Sequence, residues 1–275
     1  MMRITTITDW RLVALAALAA GAVGACRQSK PGTPSDGTTY GKPTALGQGT
    51  ARTYVTVANG VPTEIGVRLS EAALAGLPDE HDPNGVHMHG HTTFEHPLDL
   101  PEDNPTPYRH VVINWNPRGH EPPGIYDAPH FDFHFYTIDP SERDAIDPKD
   151  PEFQKKAERL PQPELVPNNY VMPAPLAFPR MGLHWVDTTS AELRGEKFTR
   201  TFIYGSWDGK VIFGEPMITK AYLESKPQFS AALPAPARGR ESGAYPKGYS
   251  VSWDEAAKEY KIALTDLVPV GVAMR

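Results

Sequence analysis

The sequence predicts a mainly β (α+β) fold: one antiparallel β-sandwich or barrel-like domain with short helices and long proline-rich loops. Three observations carry this expectation. Alternating apolar and polar segments recur, several of them joined by tight-turn dipeptides. The chain of 275 residues contains 29 prolines, about twice the usual share of roughly 5%, and each removes a backbone donor and fixes φ, which disfavours long helices. Helical patterning is confined to short pieces, so hairpins separated by stiff loops are favoured over a βαβ series.

The N-terminus reads as an address. Arg3 and Arg11 precede the apolar run Leu12–Val23, which ends in Val23-Gly24-Ala25-Cys26. The run falls short of the roughly 20 residues that span a bilayer but suits a secretory leader. Small residues before a cysteine are what a lipoprotein signal peptidase accepts. Residues 1–25 are therefore expected to be removed and Cys26, the single cysteine, to be acylated. No intramolecular disulfide can then form. Loss of the leader leaves 25 basic against 32 acidic residues, a net charge of −7. Arg27 after the anchor favours outer-membrane sorting, on the periplasmic face, in a two-membrane bacterium. From residue 26 to 49 the chain is rich in Gly, Ser, Thr, Pro and Gln, the composition of a flexible tether. A single domain is expected over 50–275.

Within that domain, Arg52–Ala58 and Thr63–Leu69 alternate around Asn59-Gly60, which predicts a hairpin. Ser70 is expected to cap a short helix, Glu71–Ala75, closed by Gly76 and Pro78. Further strands are expected over Arg109–Trp115, Phe131–Ile138, Gly182–Val186, Phe198–Tyr204, Val211–Phe213 after Asp208-Gly209, Tyr249–Trp253 and Tyr260–Leu264. Short helices are expected over Ser141–Ile146, Pro151–Leu160 and Lys220–Lys226. No fixed-period repeat is visible.

Composition and motifs narrow the chemistry. A net charge of −6, with no run of five basic residues, argues against nucleic acid as a partner. No Gly-rich phosphate loop, Gly-x-Ser-x-Gly elbow or His-Glu-x-x-His helix is present. All ten histidines lie between His81 and His184. The most informative segment is His130-Phe131-Asp132-Phe133-His134-Phe135-Tyr136. In a strand, the three phenylalanines share one apolar face while His130, Asp132, His134 and Tyr136 share the other. Neighbours at i and i+2, about 6.6 Å apart, can bind one ion, whereas His130 and His134, about 13 Å apart, could do so only at full stretch. His130 with Asp132, or Asp132 with His134, is the better pair, and Asp132 could instead orient a ligating histidine from another element. His184 and Glu215 are candidate further ligands. Such nitrogen and oxygen donors suit zinc best, with iron or manganese as alternatives. A second metal candidate is His87-Met88-His89-Gly90-His91, where His89, His91 and Glu95 match part of the cupin spacing; an exposed loop binding metal adventitiously is the competing reading.

The run Asn114-Trp115-Asn116-Pro117-Arg118-Gly119-His120-Glu121-Pro122-Pro123-Gly124-Ile125-Tyr126, with Pro129–Tyr136, Met181–His184 and Glu215-Pro216-Met217, resembles a family of uncharacterised bacterial envelope proteins. Its founding member is a Thermus hypothetical protein under sigma-E control. The resemblance spans about residues 50–265, implies one exported domain and carries no assigned activity or catalytic residues. A looser similarity is to alpha carbonic anhydrases, which bind zinc through a His-x-His strand pair and a third histidine; Asp132 and His134 would stand at the pair, so the likeness is one of analogy.

Three functions remain open at this level: a lipid-anchored metalloprotein with one divalent ion, catalytic or not; a metal-buffering module using His87, His89 and His91; and a non-catalytic envelope module whose polar strand supports a partner contact. The expected partner is the membrane, through the anchor; a homo-oligomer is left open and the substrate is not readable. Because Cys26 is the expected attachment, Cys26→Ser should move the protein from the membrane to the soluble fraction without unfolding it, since two or three acyl chains exceed the roughly one-chain threshold for stable anchoring. Fractionation with mass spectrometry of the N-terminus checks this; a soluble wild type with an unmodified cysteine would exclude the anchor.

Overall fold

The computed structural model describes residues 34–88, 90–236 and 244–269. The expected leader, Cys26 and His89 lie outside them. In chain order the elements are β1 (Gly37–Tyr40), β2 (Thr44–Leu46), β3 (Gly49–Ala58), β4 (Val61–Ser70), β5 (Val86–Met88), β6 (His91–Asp99), β7 (His110–Asn116), β8 (His130–Tyr136), α1 (Pro140–Asp144), α2 (Phe153–Ala157), β9 (Tyr170–Val171), β10 (Leu183–Asp187), β11 (Arg200–Trp207), β12 (Lys210–Thr219), α3 (Lys220–Glu224), β13 (Gln228–Ala232), β14 (Ala244–Tyr245), β15 (Gly248–Asp254), β16 (Glu259–Thr265) and β17 (Val268–Pro269).

These strands form two open antiparallel sheets and a small β14-β17 ribbon. The seven-stranded sheet runs β1-β3-β4-β16-β15-β13, with β2 also on β3; the eight-stranded sheet runs β5-β6-β7-β8-β12-β11-β10-β9. Neither closes on itself, so the sandwich is realised and the barrel is not. One core joins the inner faces: Val55, Ile65, Val67, Val251, Ile262 and Leu264 of the first sheet pack with Val111, Ile113, Phe131, Phe133, Phe135 and Phe202 of the second. Alternation along each strand is what delivers these side chains to one layer.

Turn chemistry explains the hairpins. Asn59 (φ 53°) and Gly60 (φ 71°) take the two positive-φ positions between β3 and β4, and Asp208 (φ 49°) and Gly209 (φ 79°) do the same between β11 and β12.

Three expectations need correction. Residues 37–40 and 44–46, placed in the tether, are strands: β1 pairs with β3 from Gly37↔Val57 to Tyr40↔Tyr54, and β2 pairs with β3 through Thr44↔Ala51. Every side chain of β1 is exposed, so the ladder holds it with no buried apolar pattern to reveal it. The ordered body thus begins before Thr50. The helix after Ser70 is a single 3-10 turn, Glu71–Leu74, and the Ser70 hydroxyl accepts from the Thr50 N–H instead of capping it. The segment containing His87 and His91, for which an exposed loop was the competing reading, belongs to the β5–β6 hairpin, and β13 was not foreseen. The three expected helices are present but short. Among the described residues no helix is long and apolar enough to cross a membrane.

The outer face of the eight-stranded sheet is covered by its own connections. Met181, Ile146 and Phe153 pack with Val112, Tyr136 and Phe213 in one small cluster, and Tyr126 and Phe198 pack with Val186, Ile203 and Met217 in another. The polar groups of β8 lie on this covered outer face. Truncating the core side should therefore cost heavily: Phe133→Ala is expected to destabilise the chain by about 3–5 kcal/mol, read as a lower denaturant midpoint at unchanged m-value.

Candidate metal centre

β8 is central in its sheet, and the register of its neighbours decides what meets its polar face. On β7, Asn116 pairs with His130, Asn114 with Asp132, and Val112 with His134. On β12, Gly214 pairs with Phe135 and Met217 with Asp132, which sets Glu215 across from His134. His184 arrives from β10, where it pairs with Gly205 of β11, itself paired with Phe213 of β12. Gly205 is needed here because a Cβ would lie 2.0 Å from the Phe213 ring. That ring crosses the glycine and packs against both His134 (4.8 Å between centroids) and His184 (5.6 Å).

Two separate sets of ligand-type atoms result, each two histidines and one carboxylate: His134, His184 and Glu215, and His120, His130 and Asp132. Within each set the donor atoms lie within 4.8 Å of one another. In the first set, His134 Nε2 is 3.3 Å and His184 Nε2 3.9 Å from Glu215 Oε2. His134 is 1% and Glu215 2% exposed. Despite that approach, His134 Nε2 and Glu215 Oε2 make no hydrogen bond, and His134 Nδ1 and His184 Nδ1 have none either. Burial pushes His134 down to about 3, against the charge of Asp132, and pushes His184 down to about 4, helped by the His120 charge. Burial, with the negative charge of Asp132, raises Glu215 well above the ordinary carboxylate range. Each shift favours the uncharged form of its group, which is the direction burial imposes.

The second set is polarised. Burial alone would raise Asp132, but the charge of His130 and the close approach of both His120 and His130 hold it well below the usual range. Burial would lower His120, and the contact with Asp132, with help from the Glu121 carbonyl and charge, raises it. Asp132 Oδ2 also accepts a 2.6 Å hydrogen bond from Asn116 Nδ2.

Both sets border one cavity of about 210 Å³, which His120, Asp132, His134, His184 and Glu215 line while His130 sits behind its wall. All five residues expected as ligands thus reach this region, but not as one sphere. Asp132 turns to His130, at 3.1 Å between Oδ1 and Nε2, and His134 turns to Glu215 and His184. His120 was not among the residues expected as ligands. It lies on the β7–β8 connection, outside any periodic pattern, and only its place in the run Asn114–Tyr126 drew notice to it.

The second metal candidate is not assembled among the described residues. Cross-strand partners share a face, so His87, opposite Thr92, and His91, opposite Met88, point to opposite sides of the hairpin. His87 is exposed and contacts Thr92 Oγ1 at 3.1 Å, whereas His91 borders the cavity with its Nδ1 3.1 Å from Glu121 Oε2. Glu95 is engaged by Arg143 and Arg180 at 2.7 Å each.

Because Gly205 seats the ring that supports both first-set histidines, Gly205→Ala should displace Phe213 and lower the melting temperature by several degrees, consistent with the roughly 1–3 kcal/mol of an overpacked core. Calorimetry checks this; an unchanged melting temperature would show that the ring has room to move.

Comparison with known proteins is confined to one stretch. No curated protein and no solved structure matches the chain. The matched stretch runs from the end of β3 to β7 and includes no member of either two-histidine, one-carboxylate set. Over residues 57–115 the chain matches the TTHB210-like family, described as hypothetical protein TTHB210, in line with the resemblance to the Thermus family that the sequence carries.

Proposed function

We propose that the protein is a lipid-anchored envelope metalloprotein in which His134, His184 and Glu215 hold a divalent ion at the wall of the cavity. The observation that carries this reading is the convergence of buried donor atoms that do not bond one another: His134 Nε2 and Glu215 Oε2 lie 3.3 Å apart without a hydrogen bond. Unpaired polar atoms in a dry interior are costly. A tetrahedral ion with bonds of about 2.0–2.1 Å separates its ligands by about 3.4 Å, close to the observed spacing, and would satisfy all three donors at once. Two nitrogens and one oxygen suit zinc best, with iron or manganese as alternatives.

Three protein ligands leave a position open, and the open side here is the cavity. Structural zinc sites are normally closed by four protein ligands, so this set is of the catalytic type. A bound ion would supply Lewis acidity at that open position. The protein's own contribution is to keep both imidazoles neutral and to exclude bulk water by burial. Depth also favours this reading over metal buffering, which would use exposed, labile ligands. Anchoring through Cys26 places this chemistry at the envelope surface, the substrate being a small molecule that enters the cavity.

His134→Ala and His184→Ala should each lose the ion from this set and the stability linked to it, about 2.7 kcal/mol at free ion one hundred times Kd. His87→Ala should do neither. Burial favours the protonated form of Glu215, so an ion there competes with protons for the carboxylate, whereas burial disfavours protonation of the two imidazoles. Affinity at this set should therefore rise with pH and fall on acidification. Zinc titrations across pH with melting curves read both effects. Equal melting temperatures with and without zinc, manganese or iron, in wild type and variants alike, would end the metalloprotein reading.

A further inference from the structure

We infer that the cavity holds a second divalent cation, bound by Nε2 of His120, Nε2 of His130 and the carboxylate of Asp132, beside the ion at His134, His184 and Glu215 and sharing no ligand with it. The inference rests on the reading of this cavity as a metal centre, but its residues and its geometry are its own.

The tautomers come first. His120 Nδ1 lies 2.7 Å from the Glu121 carbonyl oxygen, and His130 Nδ1 lies 2.7 Å from that of Ala128. A carbonyl only accepts, so each Nδ1 carries the hydrogen, and it is Nε2, on the opposite side of the ring, that would offer its lone pair to an ion, which displaces any proton there. Both lone pairs are directed toward Asp132: His130 Nε2 is 3.1 Å from Oδ1, and His120 Nε2 is 3.5 Å from Oδ2. Anchoring of the distal nitrogen by a backbone carbonyl is how metal-bound histidines are commonly oriented.

The second observation is that the closest of these pairs fails as a hydrogen bond. His130 is 0% and Asp132 4% exposed, yet His130 Nε2 and Asp132 Oδ1 are both without a hydrogen-bond partner. Two acceptor atoms that face a common point in a dry interior are stabilised by a cation between them. Their 3.1 and 3.5 Å separations bracket the roughly 3.4 Å edge of a tetrahedral zinc sphere. The set is also braced from outside. Asn116 Nδ2 donates to Asp132 Oδ2 at 2.6 Å, and Phe198 meets the His130 ring edge-on at 5.3 Å. His120 and Asp132 border the cavity, so the position left open faces the same space as that of the first ion. Asp132 and His134 are two residues apart on β8, about 6.7 Å along the strand. That spacing gives each ion its own ligands, and the ions stand side by side.

The test counts ions. Full-length chain, purified without a metal-affinity tag and stripped with chelator, is titrated with zinc; bound metal is measured by elemental analysis and calorimetry. Wild type should take two ions. His120→Gln, His130→Gln and His184→Gln should each keep one, and His120→Gln with His184→Gln should keep none. His120, on a connection and with its side chain 18% exposed, is the deciding variant, because substitution at the fully buried His130 can disturb folding; circular dichroism checks each variant. One ion in wild type, lost in His184→Gln and retained in His120→Gln, overturns the second site and leaves the first reading standing. One ion lost in His120→Gln and retained in His184→Gln supports this site and removes the other. No ion in wild type overturns both.

Discussion

The strict two-residue alternation of β8 is the constraint on which the site depends. Phe131, Phe133 and Phe135 are sealed in the core between the sheets, and as long as they stay there His130, Asp132 and His134 have to emerge on the opposite face. A slip of one residue would exchange the two sets, burying charge in the sandwich and placing phenylalanines in the cavity. The apolar layer thus does more than stabilise: it fixes the direction of three donor side chains to within the small freedom of packed rotamers.

The outer face reverses the usual order of burial. The two sets alone bring two carboxylates and four histidines to this face, and His110 is buried there as well, where unpaired polar groups are destabilising. The two sets meet that cost differently without an ion. Burial shifts His134, His184 and Glu215 toward their uncharged forms, while the neighbouring His120 and His130 favour the charged form of Asp132. Glycine at 205 and the rings of Phe213 and Phe198 then hold the imidazoles in place. Such an arrangement directs the donor atoms by packing while burying polar groups at a cost.

What could be read from the chain follows from how locally each feature is encoded. The hairpin at Asn59-Gly60 and the two faces of β8 rest on turn chemistry and period two within a few residues, and both are realised. The division of the expected ligands into two sets is not local. It depends on the β8–β12 register that brings Glu215 to His134, and on the β7–β8 connection that carries His120 to Asp132. Strand spacing offered His130 with Asp132 and Asp132 with His134 alike; the structure brings Asp132 Oδ1 to 3.1 Å from His130 Nε2 and turns His134 to Glu215 instead. β1 escaped notice for a related reason: an exposed edge strand held by its ladder leaves no apolar period in the sequence. The His87–His91 segment alternates as a strand should, and its register places His87 and His91 on opposite faces, which the histidine spacing alone did not reveal.

Anomalous diffraction at the zinc edge, from crystals of the full chain grown with zinc, tests the central claim most directly. The account predicts a peak in the cavity about 2.0–2.2 Å from His134 Nε2, His184 Nε2 and a Glu215 carboxylate oxygen. A cavity without a peak, in which a protonated Glu215 donates a hydrogen bond to the imidazole of His134, would contradict it.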